Sequence, residues 1–563
     1  MRVLILGGYG TFGGRLAELL RDEARVELII AGRSLSSAKA FAAKLGGSAK
    51  AIPLVFDRDG DVAAQLAAIK PDIVVDASGP FQAYGEKPYR VVEAAIEQGI
   101  HYLDLADGSD FVEGVTQFDA RAKAKHVFVL AGVSSFPVLT AAVVAELSKE
   151  MSRINHVRGG IAPSPYAGVG LNVIRAIASY SGKPVVIQRD GKLQSAYALT
   201  ETMRYTVAAP GKLPLHNIHY SLVDVPDLKA LPAIWPQLRS VWMGAGPVPS
   251  ILHRSLNWLA WLVRWKLLPS ALPFAPIMNR VINTISWGEH RGGMFVEVEG
   301  LDRNDKAITR SWHLIAEKED GPMIPSMAAE AIVRACLAGK HPASGARAAS
   351  GELTLADYDK LIASREIFAG VRNEGESERN TLVFPRLLGS AFDKLPSTLR
   401  EMHGARGKFS ASGKATVERG GGPLAALVCA IVGFPEAGVD VPVRVDFTAS
   451  PDEEVWQRTF ADKKFHSRLR AGEGRYKWLL SERFGPIGAG IALVVDGDRL
   501  RWITRRWSIF GIPLPLALAP HGDSYEFEEN GRFNFHVEIR QPLIGLIVRY
   551  RGWLVPEASG NTD

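Results

Sequence analysis

The first 140 residues alternate short apolar runs with segments whose apolar residues recur every three or four positions. RVLILG, VELIIAG, AIPLVFD and DIVVDAS are the runs, and FGGRLAELLRDE, SAKAFAAKLG and VAAQLAAI are the periodic segments between them. Continuous β-branched runs spaced by amphipathic helices predict a parallel sheet covered on both faces. YRVVEAAIEQG, IHYLDLA, FDARAKAKH and VFVLAGV continue the alternation. Residues 1–140 are therefore expected to form a doubly wound α/β domain.

From about residue 141 the pattern becomes mixed. MFVEVEGLD and AITRSWHLIAEK predict antiparallel strands joined at LDRND, and SMAAEAIVRACLAG predicts a helix that could pack back on the first domain. This gives an α+β domain over 141–345, expected to hold substrate or to dimerise. The loop-rich stretch 346–385, with NEGESERN, is the expected linker. Short alternating strands fill 386–556, with VDGDRL and EENGRF as hairpin turns, the latter carrying Asn-Gly. That is an antiparallel β-rich domain.

Length agrees with this division, since 563 residues exceed what one core usually supports. Cys336 and Cys429 lie in apolar runs, so a disulfide framework or thiolate metal site is not expected, and no metal-ligand spacing stands out. Residues 386–556 hold 24 Lys and Arg against 19 Asp and Glu, and such intermixed signs argue against a nucleic-acid footprint. MRVLILGGYG lacks the regions of a secretory signal, so the chain reads as cytoplasmic.

The first run leads straight into Gly8-Tyr9-Gly10-Thr11-Phe12-Gly13 and then a helix. In this strand-to-helix setting Gly8 is assigned the tight turn, Gly10 the close approach of backbone to a pyrophosphate and Gly13 the helix-to-strand contact. The helix N-terminus offers N–H groups to the anion. The second strand ends in Gly32-Arg33-Ser34, without the carboxylate that would bind a ribose 2′-hydroxyl. Arg33 and Ser34 suit a 2′-phosphate, so NADP is expected over NAD. Asp57 is a candidate partner for the adenine region or a helix N-cap. Ser78, Gly79, Pro80 and Phe81, followed by Tyr84, lie past the fourth strand and are expected to line the nicotinamide side.

GGYGTFGG, AGRS, DASGPFQAYGEKPYRVVEAAIEQGIHYLDLADGSDF and VLAGVSSFPVL together resemble the saccharopine dehydrogenase-like family, over roughly residues 1–370. The resemblance implies an NADP-linked domain in which Ser78 to Gly85, Tyr102 and Asp104 bring cofactor and substrate together. RFGPIGAGIALVVDGDRLRWITRRW and the strands after it look like a domain of unknown function found in bacterial proteins behind such dehydrogenase-like halves. Residues 165–290 hold no evident Arg and Tyr cluster for two amino-acid carboxylates, which speaks against saccharopine itself as substrate.

Tyr84, Tyr102, Asp104 and Asp107 are the candidates for managing a proton beside a hydride transfer, with the two aspartates equally readable as substrate ligands or turn residues. His403 stands isolated in MHGARGK. Residues 228–288 contain Lys229, Arg239, Arg254, Arg264, Lys266 and Arg280 with Trp242, Trp258, Trp261 and Trp265, and no Asp or Glu. Two readings of that segment stay open: peripheral contact with the inner membrane face, or packing against an apolar ligand or the second subunit of a homodimer. The leading function is an NADP-dependent oxidoreductase acting on an apolar or amphipathic small molecule. A non-catalytic nucleotide-sensing or membrane-associated module is the alternative.

Overall fold

The computed structural model describes residues 1–168, 170–247, 250–284 and 288–557. The chain divides into two compact units, Met1–Tyr205 with Ile218–Phe368, and Thr206–Asn217 with the chain from Ala369 onward.

In the first unit, β1 (Arg2–Leu6), β2 (Glu27–Gly32), β3 (Lys50–Val55), β4 (Ile73–Asp76), β5 (His101–Asp104) and β6 (Phe128–Ala131) form a parallel sheet with a seventh strand, Gly345–Ala348. The order is Gly345–Ala348, β6, β5, β4, β1, β2, β3, so the winding reverses between β1 and β4. Such a switch point opens a crevice at the carboxyl ends of the strands. The inner strands are buried along their length because helices cover both faces, which is why they read as unbroken apolar runs.

The stretch 346–385, expected to be a linker, is ordered. It completes Gly345–Ala348 against β6 in parallel register, then supplies the helix Leu355–Ile362 and the strand Ile367–Glu374. The seventh strand is only GARA, too short and too small in its side chains to stand out as an apolar run.

A mixed sheet follows, with Ser240–Ala245, Met151–Ala162, Gly292–Asp302 and Ala307–Ala316 at its centre. The last two pair antiparallel across the expected turn. The helix Ile324–Leu337 does pack back on α1 (Thr11–Leu20): Ser326 Oγ donates to the Phe12 carbonyl at 3.0 Å, and Arg334 donates to the Leu19 carbonyl at 2.8 Å.

The second unit is a closed up-and-down barrel. Ten antiparallel strands run from Gly407–Arg419 to Gly545–Pro556, and these two pair with each other to close the ring. The EENGRF hairpin has Asn530 and Gly531 at φ 54° and 68°, the conformation that a tight two-residue turn requires. The helices Val383–Leu388 and Ser397–Gly404 contribute Phe384, Leu387, Leu399 and Met402 to the barrel core. His403 is part of that interior: its Nε2 lies 2.7 Å from Glu526 Oε2, and its ring stacks on Phe384 at 4.0 Å. A histidine that looks isolated in the sequence is thus a core residue, paired with a carboxylate more than a hundred positions away.

Candidate active site

The turn after β1 is made by Gly7, at φ +71°, where a Cβ would sit 2.7 Å from the Ala77 carbonyl oxygen. The tight turn assigned to Gly8 therefore belongs one residue earlier. Gly8 instead lies against β2, its N–H donating to the Ala31 carbonyl, and a Cβ there would meet the Ile5 carbonyl oxygen at 2.9 Å. Gly13 lets α1 approach β1, since a Cβ would stand 2.4 Å from the Gly7 carbonyl oxygen. Gly10 differs. Among the described residues, the only atoms within 4 Å of a Cβ there belong to Gly7, nearest at 3.0 Å, and the residue faces an open cleft.

That cleft has a volume of about 840 Å³ and lies within the first unit. Gly10, Thr11, Phe12 and Arg33 line one side, and Ser78, Gly79, Pro80, Phe81 and Tyr84 line another. Two loops far apart in sequence thus face one space, because β1 and β4 are neighbours in the sheet. Arg33 is exposed, and among the described residues no carboxylate pairs with it. Ser34 is engaged within the protein. Its hydroxyl caps the helix Leu35–Leu45 by accepting from the Ser37 N–H, and its own N–H donates to the Tyr9 hydroxyl at 3.0 Å. Asp57 is exposed beside the cleft and accepts from the Asp59 N–H, while the N-cap of the next helix is Asp61.

At the β4 end, a buried carboxylate missing from the sequence-derived candidates organises the wall. Asp76 Oδ1 accepts from the Ser78 N–H at 3.0 Å and the Ser78 hydroxyl at 2.6 Å, and the Tyr84 hydroxyl sits 3.2 Å from both Asp76 oxygens. The Arg58 guanidinium lies over the Tyr84 ring, 3.2 Å from its centroid. Burial, and then the Asp76 charge, hold the Tyr84 hydroxyl well above its ordinary pKa. Tyr84 therefore remains a protonated phenol, a weaker acid than a free one, held by Asp76 and Ser78. The one sequence signal for Asp76 is an acid inside an apolar strand. Asn172 reaches the same wall, donating from Nδ2 to the Gly79 carbonyl at 3.0 Å.

The remaining candidates separate. Asp107 lines the cleft and accepts from Gln82 Nε2 at 3.0 Å; its neighbours enclose it, yet its surface stays open to the cleft, and that enclosure raises its pKa. Tyr102 and Asp104 are buried and lie behind the lining. Asp104 Oδ1 accepts from the Gly132 N–H at 2.7 Å and the Ala106 N–H at 3.0 Å, which fixes the turns leading to Asp107 and Ser134. Burial pushes its carboxyl up to about 7.

An Asp whose pKa is higher folded than unfolded contributes stability that is complete below pH 4 and is lost as the pH rises through about 7. Asp104→Asn keeps the acceptor and removes the charge. It is expected to change stability little at pH 4 and to stabilise the first unit at pH 8 by on the order of 2–4 kcal/mol. Thermal unfolding of both proteins at the two pH values checks this. An equal shift at both would show that Asp104 does not titrate in this window.

The crevice at the switch point, with a glycine turn running into a helix N-terminus, defines a domain that holds a dinucleotide. Residues 3–130 match the family model of the saccharopine dehydrogenase NADP binding domain, so this part of the chain is a nicotinamide-dinucleotide-binding domain of that kind. Residues 395–554 match that of a domain of unknown function, DUF4166, which falls on the barrel. No curated protein matches the chain. Among solved structures, apo saccharopine dehydrogenase (L-Glu forming) from Saccharomyces cerevisiae aligns with TM-score 0.46 and 13% identity, over 66% of this chain and 100% of its own. Biliverdin reductase from Synechocystis aligns with TM-score 0.29 and 14% identity, over 60% and 91% of the two chains. A probable dehydrogenase from Thermotoga maritima aligns with TM-score 0.30 and 12% identity, over 66% and 98%.

Proposed function

We propose that the chain is an NADP-dependent oxidoreductase acting on an apolar or amphipathic small molecule. The observation that carries this reading is that the Gly7–Phe12 turn and the Ser78–Tyr84 wall face one cleft, whose other linings include Phe136, Ile161, Met294 and Leu314. The residues fit a dinucleotide. Gly10 presents bare backbone at the N-terminus of α1, where N–H groups and the helix dipole favour a pyrophosphate, and the unpaired Arg33 at the end of β2 suits a 2′-phosphate. A nicotinamide held there supplies or accepts a hydride. Around it the chain excludes water with its apolar walls, and the Tyr84 hydroxyl, held by Asp76 and Ser78, gives the substrate a fixed polar contact that orients it.

The test is NADPH consumption by the purified chain across a panel of apolar aldehydes, ketones, imines and enones, followed by absorbance. Turnover of at least one compound is expected. Tyr84→Phe should lower it by roughly 10²-fold while leaving NADPH affinity within about 3-fold. Tight NADPH binding without turnover across the whole panel would instead favour a non-catalytic nucleotide-sensing module.

A further inference from the structure

The helix Ser250–Arg264 buries two polar side chains beside Ala260 and Val263. His253 and Asn257 are buried: His253 Nδ1 lies 2.9 Å from the His219 carbonyl oxygen and Nε2 2.8 Å from Ser221 Oγ, while Asn257 Nδ2 donates to the Leu199 carbonyl and Ser221 Oγ, both at 2.8 Å. Burial lowers the His253 pKa to about 4, so it anchors the helix as a neutral ring. Its exposed positions are Ile251 at 66% and Trp258 at 69%, beside Arg254 and Ser255, and Trp265 just past the helix is 56% exposed. Leu267 in the following turn, at 67%, and Ile277 in the helix Ala275–Thr284, at 64%, are exposed as well. A helix facing water ordinarily carries polar residues where Ile251 and Trp258 stand.

The charges on this face have one sign. Arg254, Lys266 and Arg280 are exposed, and none has an ion-pair partner among the described residues. No Asp or Glu occurs between residues 228 and 288. Elsewhere in that acid-free stretch, Lys229 pairs with Asp110 and Glu113, and Trp242 is half-buried in a strand. Residues 248, 249 and 285–287 lie outside the described residues. Exposed tryptophans beside unpaired cations match the boundary of an anionic bilayer, where the indole sits at headgroup depth and each cation adds to the attraction. No helix among the described residues is long and apolar enough to cross a membrane, so the contact would be made along the surface.

We propose that the Ser250–Thr284 face docks on the surface of an anionic phospholipid bilayer, and that the cleft draws its substrate from that lipid phase. The second half rests on the function proposed above. The link between surface and cleft is the helix Leu171–Tyr180. Its Ile174 and Ala178 pack with Val263, Ala271 and Ala275 beneath the exposed face, while its Asn172, Arg175 and Tyr180 line the cleft.

The test is co-sedimentation of the full chain with vesicles of phosphatidylcholine and phosphatidylglycerol in equal parts, or of phosphatidylcholine alone. Binding to the mixed vesicles at low salt is expected, with release as salt is raised. The triple variants Trp258→Ser/Trp265→Ser/Ile277→Ser and Arg254→Glu/Lys266→Glu/Arg280→Glu should each weaken it by at least about 10-fold. Because every substituted side chain is exposed, NADPH affinity should stay unchanged, which shows that the variants are folded and separates this test from that of the proposed activity. Wild-type protein left in the supernatant with anionic vesicles in excess would overturn the proposal. So would variants that bind as well as wild type, or a dimer in solution that the tryptophan variant dissolves, since a second copy would then cover the face.

Discussion

Gly10→Val is expected to raise the Kd for NADPH by at least about 100-fold, a loss of about 2.7 kcal/mol, with the fold intact. At φ −83° and ψ −179° the position is ordinary extended backbone that valine adopts, and among the described residues a Cβ there approaches only Gly7, at 3.0 Å from its carbonyl oxygen, a tight contact that a shift of a few tenths of an ångström relieves. The branched side chain would therefore occupy the cleft where a pyrophosphate approaches the helix terminus, and would not disturb the packing of α1. The contrast is Gly13→Val. Its Cβ would collide with the Gly7 backbone at 2.4 Å, so affinity there should fall together with the melting temperature. Fluorescence titration and a thermal melt of both variants distinguish the cases. NADPH binding to Gly10→Val at wild-type affinity would remove the glycine turn from the cofactor site.

Arg33→Asp should discriminate between cofactors. A charge-assisted hydrogen bond is worth about 1.5–3 kcal/mol, and reversing the charge adds repulsion against a 2′-phosphate. NADPH affinity is expected to fall by at least about 10-fold, and NADH affinity, which involves no such phosphate, by less than about 3-fold. The difference should narrow at high salt, since Arg33 is exposed. Equal losses for the two cofactors would place the 2′-phosphate elsewhere. Arg58, at the end of β3, is a poor substitute candidate, because its guanidinium is engaged by the Tyr84 ring and the Pro88 carbonyl.

What could be read from residues alone follows the range over which each signal acts. The parallel sheet, the glycine turn and the barrel hairpins are local patterns, and β1, β2 and the Asn530-Gly531 turn stand where the chain pattern puts them. Partners chosen over long separations leave no such trace. Asp76 becomes the organiser of a wall only when Tyr84 folds back over it, and His403 becomes a core residue only when the barrel brings Glu526 to it. The shift of the turn from Gly8 to Gly7 has a different cause. Adjacent glycines give identical local freedom, and the close approach of Ala77 after β4 decides which one takes positive φ. The burial of His253 and Asn257 in Ser250–Arg264 is hidden in the sequence because composition registers residue types without their direction.

The Gly345–Ala348 strand makes completion of the first sheet late in time as well as in sequence. β6 ends at residue 131, and its outer partner begins at residue 345. During synthesis at about 5–20 residues per second, β6 therefore waits on the order of 10 s or longer with one row of its peptide groups unpaired. An open strand edge of this kind is a template for joining other chains. The nascent dinucleotide-binding domain is thus a species that must be shielded until the mixed sheet has been made, and its final assembly is coupled to the folding of everything encoded between the two strands.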